Sequence, residues 1–194
     1  MQFTKFIAPL CVAAGLFASA FAAGAAEPEN TLILELKDGE VQIALRPGLA
    51  PKHVEQIKKL ARAGEYDNVA FHRVIDGFMA QTGDVQFGDM EDGYVAARAG
   101  TGGSDLPNVP AEFSDVPFER GTVGMARAQD PNSANSQFFI MFAEGPFLNG
   151  QYTVVGQVES GMEHVDNIKK GDQANNGSVD NPDRIVSAKI AADQ

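Results

Sequence analysis

Short runs in which every second side chain is apolar recur along this chain, and that spacing buries one face of an extended strand rather than one face of a helix. The first two runs show it most plainly. Leu32, Leu34 and Leu36 in residues 31–36, and Val41, Ile43 and Leu45 in residues 41–45, flank Asp38-Gly39, a pair suited to the two-residue turn of a hairpin. Further β-like runs occupy residues 69–75, 78–82, 122–126, 137–142, 153–158 and 184–190. Helical spacing is confined to two stretches. Pro51 stands where a first helical residue is favoured, and Val54, Ile57, Leu60 and Ala61 form a stripe that ends before Gly64. Residues 162–170 place Val165 and Ile168 three apart, with Gly171 as the stop. Many short strands and two helices predict a mainly β barrel or sandwich whose open ends the helices plug.

Residues 87–118 and 171–183 are rich in Gly, Asp, Asn and Pro and lack periodicity, so both read as long surface loops, the first long enough to expect a functional role. No repeat or linker divides residues 27–194, which read as one unit. The preceding residues differ. Lys5 is the only charge before Glu27, residues 6–26 are apolar or small, and the run closes on Ala-Gly-Ala-Ala. That is the pattern of a secretory signal peptide over residues 1–26, which predicts an exported protein, periplasmic or secreted, without stable membrane association after cleavage.

Charge and motif content remove several classes of function. With 26 acidic and 15 basic residues the net charge is -11, and Lys and Arg form no cluster, which argues against nucleic acid as a partner. The single cysteine, Cys11, lies in the leader, so the mature chain can form no disulfide and suits an oxidising compartment. His53, His72 and His164 have no metal-ligand spacing and read as solvated or structural residues. No nucleophile elbow, Walker loop or dinucleotide fingerprint occurs, and residues 100–103 (GTGG) are better explained as loop geometry than as a phosphate site. Asn176-Gly177-Ser178 matches a glycosylation acceptor, which matters only in a eukaryotic secretory pathway.

What remains is a concentration of apolar residues mixed with a few polar ones, in residues 71–84 (FHRVIDGFMAQTGD) and residues 136–140 (SQFFI). Period two places Gln137, Phe139 and Met141 on one face and Phe138, Ile140 and Phe142 on the other. Such a strand is either buried on both faces or carries a core face and an apolar binding face.

These two blocks, in order with GTGG and residues 121–128 (GTVGMARA), closely resemble the cyclophilin family of peptidyl-prolyl cis-trans isomerases, and the similarity runs from about Thr31 to Ile190. Membership would imply a closed eight-stranded antiparallel barrel capped by two helices, with the active groove on its outer surface. It would also imply isomerisation of X-Pro bonds in unfolded or partly folded polypeptides, assisting their folding, with no cofactor. By the resemblance, the catalytic arginine falls on Arg73, the glutamine that orients it on Gln81, and the proline pocket on Phe78, Met79, Phe139 and Leu148. Ala126, Arg127 and Gln137 match groove positions for the substrate backbone, and His72 lies beside the arginine. Phe147 stands where many members have Trp and Tyr152 where His is common; Arg127 replaces a common Asn. The first of these resembles bacterial members and implies weakened cyclosporin affinity, since the indole donor is lost.

Two other readings compete: a binding module of the same fold that recognises proline-containing segments with little catalysis, and a barrel that carries a small apolar ligand in its lumen. Retention of Arg73, Gln81 and Phe139 favours the enzyme, and bulky residues on both strand faces favour a filled interior. A monomer is the default expectation. N-terminal sequencing of the exported protein is expected to begin near Ala26 or Glu27, and recovery of the full-length chain from membranes would refute the cleavable leader.

Overall fold

The computed structural model describes Met1 and residues 27–194, so the leader expected over residues 1–26 lies, apart from Met1, outside the described residues. The strands are β1 (Thr31–Leu36), β2 (Gly39–Leu45), β3 (Arg73–Ile75), β4 (Met79–Thr82), β5 (Thr122–Met125), β6 (Phe138–Met141), β7 (Val154–Ser160) and β8 (Ser187–Ile190). They form a single sheet, antiparallel at every pairing, in the order β3-β4-β6-β5-β7-β2-β1-β8. Each strand overlaps one of the β-like runs of the sequence. Two helices, α1 (Pro51–Arg62) and α2 (Met162–Asp166), pack on this sheet.

The sheet is an open half-barrel, which corrects the closed barrel that the resemblance implied. The reason lies at the β3 edge. The Val74 amide donates to Gly177 O at 2.8 Å, and the Gly171 amide donates to Val74 O at 2.9 Å, so the loop over residues 171–178 takes the groups that β8 would need for a ladder. Isolated contacts rather than a ladder between β3 and β8 span the gap: Phe71 N donates to Asp183 O, Ile185 N to Val69 O and Val179 N to His72 O, and Ala70 bridges Arg184. A three-residue edge strand covered by a loop also offers little template for another chain.

Leu34, Ile43, Ile57, Phe138 and Ile140, all essentially inaccessible, fill the space between the concave face and the helices. The interior is therefore a packed core, as the bulky strand residues indicated. Helix α1 contributes Val54, Ile57, Leu60 and Ala61, the stripe read from the sequence.

The N-terminus of α1 has no side-chain cap of its own, because Ala50 occupies the cap position. Glu112 provides one from the long loop: its carboxylate accepts from Lys52 N at 3.2 Å and His53 N at 3.1 Å, and lies 2.6 Å from His53 Nδ1. A carboxylate there satisfies orphan amides and opposes the positive end of the helix dipole. His53 is fully buried in this contact, which makes it structural.

Several boundaries differ from the sequence expectation, the hairpin turn and the end of α2 most clearly. Leu36 pairs with Gly39, so the hairpin turns on Lys37-Asp38, and Gly39 belongs to β2. Gly39 has φ +146°, and a Cβ there would lie 2.5 Å from His164 Nε2, so close approach of the imidazole requires the glycine. Helix α2 stops at Asp166 instead of continuing to Lys170, because Lys169 N donates to Asp183 Oδ2 at 2.7 Å and Gly171 N to Val74 O. The chain is drawn off the helix axis to meet the β3 edge.

The loop after β4 is long but tied down. Asp84 is completely buried, and its carboxylate accepts from the amides of Gln86, Phe87, Gly100 and Gly102 at 2.7 to 3.2 Å. Residues 100–103 thus bind a carboxylate of the chain itself, consistent with a loop function for GTGG. Asp84→Ala would leave buried donors without an acceptor, and is expected to cost about 3 to 5 kcal/mol and open residues 85–103 to protease. Urea denaturation and limited proteolysis check this; unchanged stability would mean that other contacts hold the loop.

Candidate active site

Strand alternation builds the floor of the site. In β6, Phe138 and Ile140 join the main core, whereas Phe139 and Met141 point to the convex side and join Met79, Phe118, Leu148 and Val154 in a second cluster. The two-faced strand is thus a core face backed by a small outer core. Phe139 is 5% exposed, stacks on Phe118 with centroids 5.7 Å apart and meets the edge of Tyr152 at 5.8 Å. Across the ladder it pairs with Gly124, where a Cβ would lie 2.5 Å from both Phe118 Cε1 and Phe139 Cζ. Only glycine lets these rings lie against β5.

Above this floor opens a cleft of about 540 Å³. Phe78, Met79, Phe139 and Leu148 form its apolar wall; Arg73 and Gln81 stand on one side and Ala126, Arg127, Gln151 and Tyr152 on another. Phe147 reaches it from the short 3-10 turn Pro146–Leu148, 68% exposed, with its ring 5.4 Å from that of Phe78, and forms the outer lip. A second hollow of about 350 Å³ adjoins the cleft and shares Gln81, Ala126 and Arg127 with it; Gln137 lines this hollow together with residues 100–102.

Arg73 begins β3 and pairs with Gln81 of β4, so the two side chains leave the same face side by side. Arg73 Nη1 donates to Gln81 Oε1 at 3.2 Å, Nε to Asn176 O at 3.0 Å and Nη2 to Asn176 Oδ1 at 3.1 Å. Nη1 also faces Met79 Sδ at 3.9 Å, at the margin of the apolar wall. Three of five N–H groups therefore have oxygen partners and a fourth faces sulfur, which leaves one, on Nη2, to serve a guest. Burial draws the Arg73 pKa below the usual arginine value, with Tyr152 acting in the opposite sense. From so high a starting point the guanidinium stays charged at neutral pH.

The bonds continue beyond Gln81. Its Nε2 donates to Gln137 Oε1 at 3.0 Å, and Gln137 Nε2 donates to Gly102 O at 2.8 Å. Each amide has only one workable orientation, because a flip of Gln81 would set its NH₂ against the guanidinium.

His72 does not reach the cleft. It lies just before β3, is buried, and is not among the residues that line the cleft. The ring packs on Gly100, where a Cβ would lie 2.9 Å from Cδ2, and burial lowers its pKa against the pull of Asp84. The sequence reading missed two residues. Gln151 lines the cleft, and Asn176 grips Arg73 from a residue with φ +52° in the polar loop. The Asn176-Gly177 pair signals such a turn, but nothing in it signals a contact with Arg73.

The model of the cyclophilin type peptidyl-prolyl cis-trans isomerase family matches residues 31–190. A probable peptidyl-prolyl cis-trans isomerase of Brucella suis is 71% identical over 171 residues, covering 88% of this chain and 87% of that protein. A peptidyl-prolyl cis-trans isomerase of Synechococcus elongatus is 36% identical over 161 residues, covering 83% and 96%. Among solved structures, cyclophilin AquaCyp293 of Hirschia baltica superposes with a TM-score of 0.72 at 30% identity, covering 87% of this chain and 76% of that one. A Cryptosporidium parvum cyclophilin crystallised in the presence of the dipeptide Ala-Pro gives 0.66 at 25% identity, covering 82% and 98%. With the family model matched from residue 31 to residue 190 and a relative 71% identical over 88% of its length, the chain belongs to the cyclophilin-type peptidyl-prolyl cis-trans isomerases.

Proposed function

We propose that this isomerase acts on X-Pro bonds of exported polypeptides, assisting their folding, and that Arg73 is its catalytic residue. The barrier is that of amide resonance, about 18 to 20 kcal/mol, and no bond to a nucleophile is needed to cross it. In the twisted amide the prolyl nitrogen regains a lone pair that can accept a hydrogen bond. The observation that supports the reading is the position of Arg73: it is held by neutral acceptors, Gln81 and Asn176, beside the Met79–Phe139 wall, with donor capacity left over.

The wall formed by Phe78, Met79, Phe139 and Leu148 would hold the pyrrolidine ring while the acyl side turns, converting apolar contact into orientation. A 10⁵-fold acceleration needs about 7 kcal/mol, and a charge-assisted hydrogen bond provides roughly 1.5 to 3 kcal/mol. Ring fixation and exclusion of water must contribute the rest. Gln81 keeps the guanidinium in place without neutralising it, and Ala126, Arg127 and Gln137 are placed to meet the substrate backbone. Phe147 gives the lip no N–H donor, which supports weakened cyclosporin affinity. The leader-like residues 1–26 and the cysteine-free remainder support export, to the periplasm or beyond.

In an exchange-NMR or protease-coupled assay Arg73→Ala is expected to lose at least about tenfold in turnover while its circular dichroism is unchanged, since the variant removes a charge-assisted bond. Near wild-type turnover would overturn its role. Phe139→Ala is expected to raise KM and to lower stability by about 3 kcal/mol, because the ring is also part of the outer core.

A further inference from the structure

The cleft and its adjoining hollow reverse the charge of the protein that carries them. The chain has 26 acidic and 15 basic residues, yet the residues lining both concavities include two arginines, Arg73 and Arg127, and no carboxylate. Three of the other arginines are neutralised, Arg62 by Glu29 and Asp193, Arg120 by Asp166 and Arg184 by Glu91, at 2.6 to 3.1 Å, whereas Arg46 and Arg98, which line neither concavity, form no ion pair among the described residues.

Arg127 has no carboxylate partner either, and it lines both concavities. Its Nε and Nη2 donate to Gln151 O at 3.3 and 2.9 Å, its Nη1 to Ala128 O at 2.9 Å and Gln129 O at 3.3 Å, and its guanidinium lies 4.5 Å from the centroid of the Tyr152 ring. Carbonyl dipoles and a ring face fix the group in place and leave its full charge uncompensated. The nearest carboxylate in sequence, Asp130, accepts instead from Asn132 N at 2.9 Å. Arg127 is also the one charged residue shared by the cleft and the hollow, so a peptide with its proline against Phe139 that continues into the hollow must pass this guanidinium.

We propose that Arg127 is a specificity-determining residue: its fixed, unpaired charge makes the enzyme favour X-Pro segments with an acidic side chain close to the proline, on the side that enters the hollow. The net charge of the protein acts the other way, repelling acidic substrates at long range, so the preference is local and position-dependent. The inference rests on the isomerase activity but not on Arg73 donating to the prolyl nitrogen, and the two fail separately: loss of selectivity leaves the Arg73→Ala result untouched.

The test uses short peptides that differ only by Glu, Ala or Lys at each of the two positions before and after the proline, with kcat/KM measured by exchange NMR for wild type, Arg127→Gln and Arg127→Lys. At one flank the wild-type Glu-to-Lys ratio is expected to be about threefold to tenfold, the scale of a partly exposed charge pair, and to shrink as salt is raised. Arg127→Gln is expected to bring that ratio close to one, and Arg127→Lys to retain most of it. If Arg127 only braces Tyr152 and the turn after it, its replacement slows all the peptides alike and leaves the ratio unchanged, which would overturn the proposal. A wild-type ratio near one at every position would do the same. Should Arg127→Gln fail to fold, the wild-type salt series and Arg127→Lys still decide the matter.

Discussion

A relay of hydrogen bonds running from Asn176 through Arg73, Gln81 and Gln137 to Gly102, and on to the buried carboxylate of Asp84, is the constraint on which the rest of this site depends. It joins segments that are distant in the chain: the polar loop near the C-terminus, two adjacent sheet strands, the start of β6 and the long loop after β4. From Arg73 onward each amide both accepts and donates, so that stretch has a single polarity, fixed by a guanidinium that can only donate, to Gln81 on one side and Asn176 on the other, and by a carboxylate that accepts four amides. Such a network is most valuable when every member is satisfied. It presents Arg73 in one orientation without a counter-ion, and a guanidinium already paired with a carboxylate would have less to offer a developing lone pair.

The apolar half of the site is equally tied to the fold. Met79, Phe139 and Leu148 belong to a second core on the convex side of the sheet, supported by Phe118, Met141 and Val154. The wall of the cleft is therefore the exposed margin of a packed layer, which limits how far its side chains can yield when a ring enters. Phe147 is the exception. It is mostly exposed, rests on Phe78 alone among ring contacts of the described residues, and can adjust to the bulk of the residue next to the proline.

Much of this was legible in the residues because it depends on local periodicity. Period two located β1 and β2 and divided Phe138 and Ile140 from Phe139 and Met141, short β-like runs overlapped the other strands, and the stripe Val54, Ile57, Leu60 and Ala61 marked the buried face of α1. Alternation gave no direction for His72 or Arg73, because both phases of residues 69–75 carry apolar side chains. Long-range contacts were illegible for a different reason. Glu112 caps a helix about sixty residues earlier in the chain, Asn176 grips Arg73, and residues 171–178 occupy the edge that would have closed the barrel. None of these leaves a trace in spacing, since a loop residue that bonds to distant backbone looks like one that bonds to water.

Opening the barrel at β3 has a functional consequence. An edge strand paired with β8 would present its outer backbone groups to another strand, and the loop carrying Asn176 could not then approach Arg73 from that side. In the half-barrel, the loop that blocks the ladder at Val74 is the same one whose Asn176 carbonyl and side-chain oxygen hold the guanidinium. The edge is thus covered by the element that aims Arg73, and the left-handed backbone of Asn176, with φ +52°, is what lets both of its oxygens face one side chain. A short edge strand, a turn that can enter the left-handed region and a strand with two apolar faces together place a charged donor beside an apolar wall, on a protein whose remaining surface is predominantly acidic.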